Sequence, residues 1–222
     1  MNNLTLIIPA KNEAESLPKV IDELKQYNYN IDVILHETDK ATIVAIETLN
    51  VKIKYQKNFG YGDALIYGID NCESQYFCIF NADGSFKPSE ITGMVEKLEK
   101  NKLDFVFGSR YEKNSGSEDD TIITLIGNYI FTFIGKIFFR LNISDILYTF
   151  VLGKTKSAKN LNLTQKDFAL CVEIPIKAER NNMKISSIGS YERERIAGKK
   201  KVNAFKDGFL ILMYMVKLFF RK

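Results

Sequence analysis

The residues of this chain best suited to chemistry are Asn81 and Asp83, which follow an apolar run at 76–80 within Asn81-Ala82-Asp83-Gly84-Ser85. A carboxylate flanked by small residues can meet a metal ion or a phosphate without obstruction. Asn, Asp, Gly and Ser also form turns, so this stretch alone reads first as a strand ending in an Asx-type turn. Three more polar clusters close apolar runs in the same way: Asn12-Glu13, His36-Glu37 and Ser109-Arg110. One such cluster is a turn; four on one edge make a binding site the better reading. Carboxylates and neutral oxygen donors suit Mg²⁺ or Mn²⁺, ions that commonly share their ligands with phosphates. The set therefore fits a metal-chelated diphosphate. The turn Asn58-x-Gly60-x-Gly62 would bring backbone close to a ligand at a helix start, and a glycine pair fits a plain tight turn as well.

Strands must carry these clusters to a common edge. Apolar runs at 4–9, 31–35, 51–55, 76–80 and 104–107 predict five strands, with helices at 14–27, 41–49, from the 57–65 turn onward, and 88–100. Asp39 or Thr38 is the expected cap of the second helix. Strict alternation of strand and helix predicts an α/β fold with a parallel sheet covered on both faces. In such a sheet, ligands bind where the carboxyl ends of the strands converge.

The second half reads differently. A polar loop at 114–120, NSGSEDD, precedes a very apolar helix at 121–141. Its polar residues Thr121, Thr124, Asn128, Thr132, Lys136 and Arg140 form one narrow stripe. The tail at 205–220 is comparably apolar, and between them lie a predicted helix at 167–180, a strand at 184–190 and the basic turn 193–201. Helices apolar over most of their circumference are buried, pair with a second copy as a homodimer interface, or lie on a membrane surface, and so little polar cover favours the membrane.

The 222 residues suit one domain with a sizeable core, and hydrophobic and charged contents of 45% and 26% are ordinary. A net charge of +4 is too mild to argue for nucleic acid and suits anionic ligands or an anionic membrane face. Cys72, Cys78 and Cys171 lack metal-like spacing and read as reduced core residues, and the lone His36 excludes a histidine-rich metal site. No uninterrupted apolar stretch reaches the length expected of a transmembrane helix, and no signal peptide is visible.

Taken in order, IIPAKNEAESLP, the acidic end of the second strand, KNFGYGDALIYGI, FNADGSFKPSEI, FVFGSRY and RERIAGKKKVN resemble glycosyltransferase family 2. Within that family the likeness is to the polyprenyl-phosphate (dolichol-phosphate) mannose and glucose synthases. It covers nearly the whole chain, and GSRY and RxxGxxK are its more specific parts. It implies a GT-A fold, a mostly parallel Rossmann-like sheet flanked by helices, with amphipathic helices toward the C-terminus. It implies one domain, 1–222, with a nucleotide-sugar-binding half at 1–111, an acceptor half at 112–202 and an apolar tail helix at 203–222. The implied reaction is inverting transfer of a hexose from a GDP- or UDP-sugar to polyprenyl phosphate at the cytoplasmic face of a membrane, by a peripherally bound protein. The alternatives are transfer to a saccharide hydroxyl in surface polysaccharide assembly, or a catalytically silent nucleotide-sugar-binding membrane scaffold.

The same likeness assigns residues. Pro9, Ala10, Asn12 and Glu13 match the nucleotide-contacting first loop, and Glu37 an acidic pair that holds base or ribose. Asn58, Gly60, Asn81 and Ala82 join them as substrate-binding positions. Asn81 and Asp83 fall on the metal-binding DxD, with Ser85 where a metal-binding Gln often stands. Asp83, Arg110, Arg195 and Lys201 form the implied catalytic set, the three cations facing the phosphates of donor and acceptor. The chain departs from the pattern at His36-Glu37, where Asp-Asp is usual, at Asn81 for the first Asp of DxD, at 146–151 after Asp145, and at Lys200.

Overall fold

The computed structural model describes residues 3–198 and 203–220. Alternation along its first strand sets the layers. β1 (Leu4–Pro9) turns Leu4, Leu6 and Ile8 into one hydrophobic layer and Ile7 into the other, as the two-residue period of a strand requires. β4 (Tyr76–Ile79) does the same, with Phe77 and Ile79 on one side and Cys78 on the other. Strands β2 (Asn30–Leu35), β3 (Lys52–Tyr55), β5 (Phe105–Ser109), β7 (Val151–Lys154) and β8 (Ile185–Gly189) complete a seven-stranded sheet in the order β3-β2-β1-β4-β7-β5-β8. The short β6 (Gly116–Ser117) and β9 (Tyr191–Glu192) pair separately, in parallel.

Helices α1 (Leu17–Leu24), α2 (Lys40–Ile46), α3 (Tyr61–Asp70) and α4 (Glu90–Lys100) cross over between the parallel strands. Asp39 caps α2 by accepting the Thr42 N–H at 3.3 Å. The expected strands and helices are all present, with ends displaced by a few residues. Three strands escaped the reading: the two-residue β6 and β9, and β7, which runs antiparallel between β4 and β5. Strand β7 is only four residues long and contains Gly153, whose close approach to Phe105 and Phe77 leaves no room for a side chain. Helix α6 (Thr155–Asn160) follows it directly.

Helix α5 (Ile122–Phe139) is turned inside out relative to an ordinary surface helix. Asn128 and Thr132, from its polar stripe, are buried. Asn128 Nδ2 donates to the Tyr111 hydroxyl at 2.8 Å, and Thr132 Oγ1 accepts the Ile146 N–H at 3.2 Å. Ile122, Ile126, Ile130, Phe133 and Ile137 face outward, more than half exposed. Helix α5 has the length and hydropathy of a membrane span, contrary to the sequence expectation, with only 22% of it buried. Its inward hydrogen bonds nevertheless make it an integral layer of this domain. Helix α8 (Ala204–Phe220) packs beside it and adds Phe205, Phe209, Met213 and Phe220 to the same apolar exposure.

Helix α7 (Leu170–Arg180) anchors α8 through one buried carboxylate. Glu173 accepts hydrogen bonds from the Thr164 and Gln165 N–H groups, the Thr164 hydroxyl and, at 2.8 Å, the Tyr214 hydroxyl, and pairs with Lys177 at 2.7 Å. Burial works to raise its pKa, but these partners hold it below the ordinary carboxylate value. The cysteines are free, Cys72 and Cys78 in the core and Cys171 half-buried; burial pushes the Cys171 thiol up to about 12.

Candidate active site

Parallel strands deliver the loops after β1, β2, β3, β4 and β5 to one sheet edge, as the strand register requires. Two of these loops are tied to each other. Asn12 takes a left-handed conformation (φ 54°), and its N–H donates to Asp39 Oδ2 at 2.7 Å. The Glu13 N–H donates to Thr42 Oγ1 at 2.9 Å, and the buried Glu13 carboxylate accepts from the Ser16 hydroxyl at 2.6 Å. Ala10 is buried and Pro9 half-buried; the Ala10 N–H continues the ladder onto the Ile34 carbonyl. Glu37 is exposed to solvent, and the structural tie at this strand end is Asp39, a residue legible in the sequence only as a helix cap.

Asp83 lies at the centre of the edge. Its Oδ1 accepts the Ser85 N–H at 3.0 Å, which fixes the turn. Its Oδ2 faces Arg195 Nη1 at 3.6 Å, and Arg195 Nη2 donates to Asp119 at 2.8 Å. Burial works against the charge on Arg195, but Asp119 and Asp83 outweigh it and hold its pKa above the ordinary value. The 193–198 segment lies across the turn: the Ile196 N–H donates to the Asp83 carbonyl at 2.8 Å, and the Arg193 N–H to that of Ser85 at 2.9 Å. Gly84 (φ +84°) makes this possible, because a Cβ there would strike the Ile196 side chain. Arg193 clamps the segment with paired bonds to Glu23 at 2.9 and 3.0 Å. Gly198 brings its end toward the Glu13 carboxylate. The sequence thus placed Arg195 at this edge, and the structure adds Asp119, which the acidic run 118–120 flagged only as a polar loop.

Arg110 is placed differently from the expectation that it faces phosphate. Its side chain is 8% exposed and is held by Asp145 at 2.8 Å, Glu192 at 3.2 Å and Asp120 at 3.4 Å. The grip of Asp145 is bidentate, through Nε and Nη2, and the guanidinium lies 4.7 Å from the centre of the Tyr148 ring. Burial opposes its charge, and the three carboxylates more than restore it, Asp145 most of all. A guanidinium so engaged is a structural tie.

The close approach allowed by Gly60 and Gly62 is also taken by protein. A Cβ on either would collide with the carbonyls of Lys166 and Gln165, and the Asp63 N–H donates to the Lys166 carbonyl at 3.2 Å. These glycines let the 165–167 loop pack on the start of α3, so the expected ligand approach at Gly60 gives way to internal packing. Asn58 bonds to Asp63 at 3.2 Å. Nearby, Tyr61 donates to Thr149 Oγ1 at 2.9 Å; burial, with Asp83 adding, pushes its pKa up. Lys201 lies outside the described residues, as do Lys199 and Lys200.

The oxygen donors at the edge fit a divalent ion shared with a ligand. Asp83 supplies a partly exposed carboxylate and Asn81 a neutral amide, whose Nδ2 donates to Ser85 Oγ at 3.2 Å and so leaves its carbonyl oxygen for other partners. Ser85, the third residue expected to face the metal, is buried, and its hydroxyl oxygen accepts that bond. Among the described residues no three His, Cys, Asp or Glu side chains converge into a self-sufficient cage. Mg²⁺ and Mn²⁺ held against a diphosphate need only one or two carboxylates. Two cavities, of about 260 and 310 Å³, lie elsewhere: one between α3 and α6, the other at the amino ends of the strands around Asp32 and Lys54. Neither combines carboxylates with the strand-end geometry above, and the 193–198 segment is hydrogen-bonded across the Asp83 turn.

This architecture recurs in solved enzymes. A glucosyl-3-phosphoglycerate synthase of Mycobacterium tuberculosis, bound to Mn²⁺, UDP and phosphoglyceric acid, matches with a TM-score of 0.72 at 11% identity, over 99% of this chain and 79% of that one. Mannosyl-3-phosphoglycerate synthase of Rubrobacter xylanophilus matches at 0.70 and 14% identity, over 97% and 72%. These likenesses show the GT-A fold. In sequence, a UDP-N-acetylglucosamine–dolichyl-phosphate N-acetylglucosaminyltransferase of Methanococcus voltae is 23% identical over 82% of each chain. A dolichol-phosphate mannosyltransferase of Pyrococcus furiosus is 25% identical over 79% of this chain, which spans 53% of that enzyme. The model of glycosyl transferase family 2 matches residues 5–161, the stretch that carries Asn12, Asp39 and the Asp83 turn, and the chain belongs to that family.

Proposed function

We propose that this GT-A glycosyltransferase moves a hexose from a nucleoside-diphosphate sugar to polyprenyl phosphate, with inversion, while resting on a membrane surface. The observation that carries the reading is the Asp83 carboxylate at the strand edge with Arg195 beside it at 3.6 Å. Asp83 and the Asn81 carbonyl would hold Mg²⁺ or Mn²⁺, which supplies charge neutralisation for the departing diphosphate. Arg195 is the cation positioned to meet phosphate oxygens, and Asp119 orients it. The loops tied by Asp39 and Thr42 form a fixed wall for the nucleoside. A phosphate acceptor brings its own anionic oxygen as nucleophile, so the reaction needs no general base.

The lipid acceptor is supported by the outward apolar face of α5 and α8. Lys136, Arg140, Lys206 and Lys217 are exposed on the same two helices or their ends, as suits contact with anionic lipid. The dolichyl- and dolichol-phosphate activities named for the relatives agree with this acceptor. The test is incubation with Mn²⁺, labelled UDP- and GDP-sugars and polyprenyl phosphate. Label extractable into organic solvent is expected. Label confined to water-soluble saccharide would replace the acceptor, and no transfer with intact nucleotide binding would leave a binding scaffold. Flotation with anionic liposomes should carry the protein upward, and Phe133→Asp with Phe209→Asp should leave it at the bottom.

A further inference from the structure

A pair of stacked aromatic rings, Phe59 exposed and His36 half-buried, stands at the same sheet edge, two strands from Asp83. The His36 ring, at the end of β2, stacks on Phe59, from the loop between β3 and α3, with centroids 4.0 Å apart and planes 25° from parallel. Phe59 is 65% exposed. The loop behind it is not loose. The buried Gln56 amide donates to the carbonyls of Asn58 and Gly60, one on each side of Phe59. The Gln56 N–H in turn donates to the Leu35 carbonyl at 3.0 Å, tying this loop to the strand that carries His36. A buried polar side chain thus fixes the backbone on both sides of an exposed phenyl ring and holds that ring in place.

His36 is oriented as well. Its Nδ1 accepts the Thr38 N–H at 3.3 Å and lies 2.8 Å from the Thr38 hydroxyl. That bond assigns the proton of the neutral ring to Nε2, the nitrogen left to meet a ligand. The pair therefore offers a flat apolar surface with a hydrogen-bond donor at its rim. In the sheet order β2-β1-β4, two strand spacings, about 10 Å, separate this platform from the Asp83 strand. A ribose and a diphosphate bridge such a gap when the diphosphate sits at Asp83.

We propose that the His36–Phe59 stack forms the platform on which the nucleobase of the donor lies. The proposal rests on the donor reading given above and adds the residues that carry the base. Stacking supplies affinity for any base, because every base has a π-face.

The test measures binding of UDP, GDP and inorganic pyrophosphate, each with Mn²⁺, to the wild type, Phe59→Ala, Phe59→Tyr and His36→Ala by calorimetry. Phe59→Ala is expected to weaken both nucleotides about tenfold and leave pyrophosphate unchanged. Phe59→Tyr should restore nucleotide affinity, and His36→Ala should weaken the nucleotides without affecting pyrophosphate. Equal nucleotide affinity in the wild type and Phe59→Ala would overturn the platform while leaving the donor reading intact. So would equal loss of pyrophosphate and nucleotide. A wild type that binds none of the three would remove the donor reading and the platform with it.

Discussion

Two arginines, both first suggested by the same sequence likeness, occupy opposite situations. Arg110 sits among three carboxylates and two tyrosine rings, with its side chain 8% exposed. Arg195 is 22% exposed, holds Asp119 at 2.8 Å and only approaches Asp83 at 3.6 Å. The first has its hydrogen-bonding capacity committed to holding β5, the 112–120 loop and β9 together. The second keeps a looser contact with the carboxylate best placed for chemistry. A basic residue after a buried strand is therefore not a ligand-binding residue by position alone; what decides is how many protein acceptors already surround it.

Removing the carboxylate on the Arg195 side should have the largest effect. Asp83→Ala is expected to lower transfer about 10³-fold with little change in melting temperature, as read by labelled product and a thermal scan. Turnover near the wild-type level would place the chemistry elsewhere. On the Arg110 side the order of effects reverses. Arg110→Met leaves the fully buried Asp145 without its partner and is expected to cost about 3–5 kcal/mol of stability in urea unfolding. Arg110→Lys should recover only part of that loss, because an ammonium lacks the paired geometry that Asp145 meets. A neutral Arg110→Met result would dissolve the contrast between the two sites.

Arg195→Ala should reduce transfer about 10²-fold while changing stability by less than about 1 kcal/mol, since its pairs are partly solvated. Equal losses of activity and stability would make it a second structural tie. Glu173 sharpens the rule with a buried acid remote from the edge. Glu173→Gln is expected to cost on the order of 2 kcal/mol at neutral pH through its charged hydrogen bonds. Its folded pKa is depressed, so its contribution is complete above the unfolded value of about 4.3. That contribution is lost as pH falls through the lower folded value. Unfolding curves of the two proteins should converge at acid pH.

The parallel half was legible because local signals agreed there. The run 4–9 is apolar, ends at a proline and is the observed β1 to the residue; Asp39 precedes a helix and caps it. Asp83 and Arg195 were both readable as residue types, though not their contact, which spans 112 positions of chain (195 − 83) and depends on Gly84 admitting Ile196. The role of Gly60 and Gly62 was ambiguous for a physical reason. A glycine allows close approach without saying whether a ligand or, as here, a neighbouring backbone makes it. Strand β7 gave no periodic signal in four residues, and the direction of its pairing is set by tertiary packing. The polar stripe of α5 was correctly located. Which way it faces was beyond sequence, because Asn128 and Thr132 turn inward only where Tyr111 and the Ile146 N–H wait for them.

Asp119 and Asp120 are consecutive, yet they pull in opposite directions. One grips the arginine above Asp83. The other binds Thr124 on the first turn of the outer helix, and both Tyr111 and Arg110 behind it. A single peptide unit thus joins a side chain that holds the first turn of the outer helix to one that holds Arg195 beside Asp83.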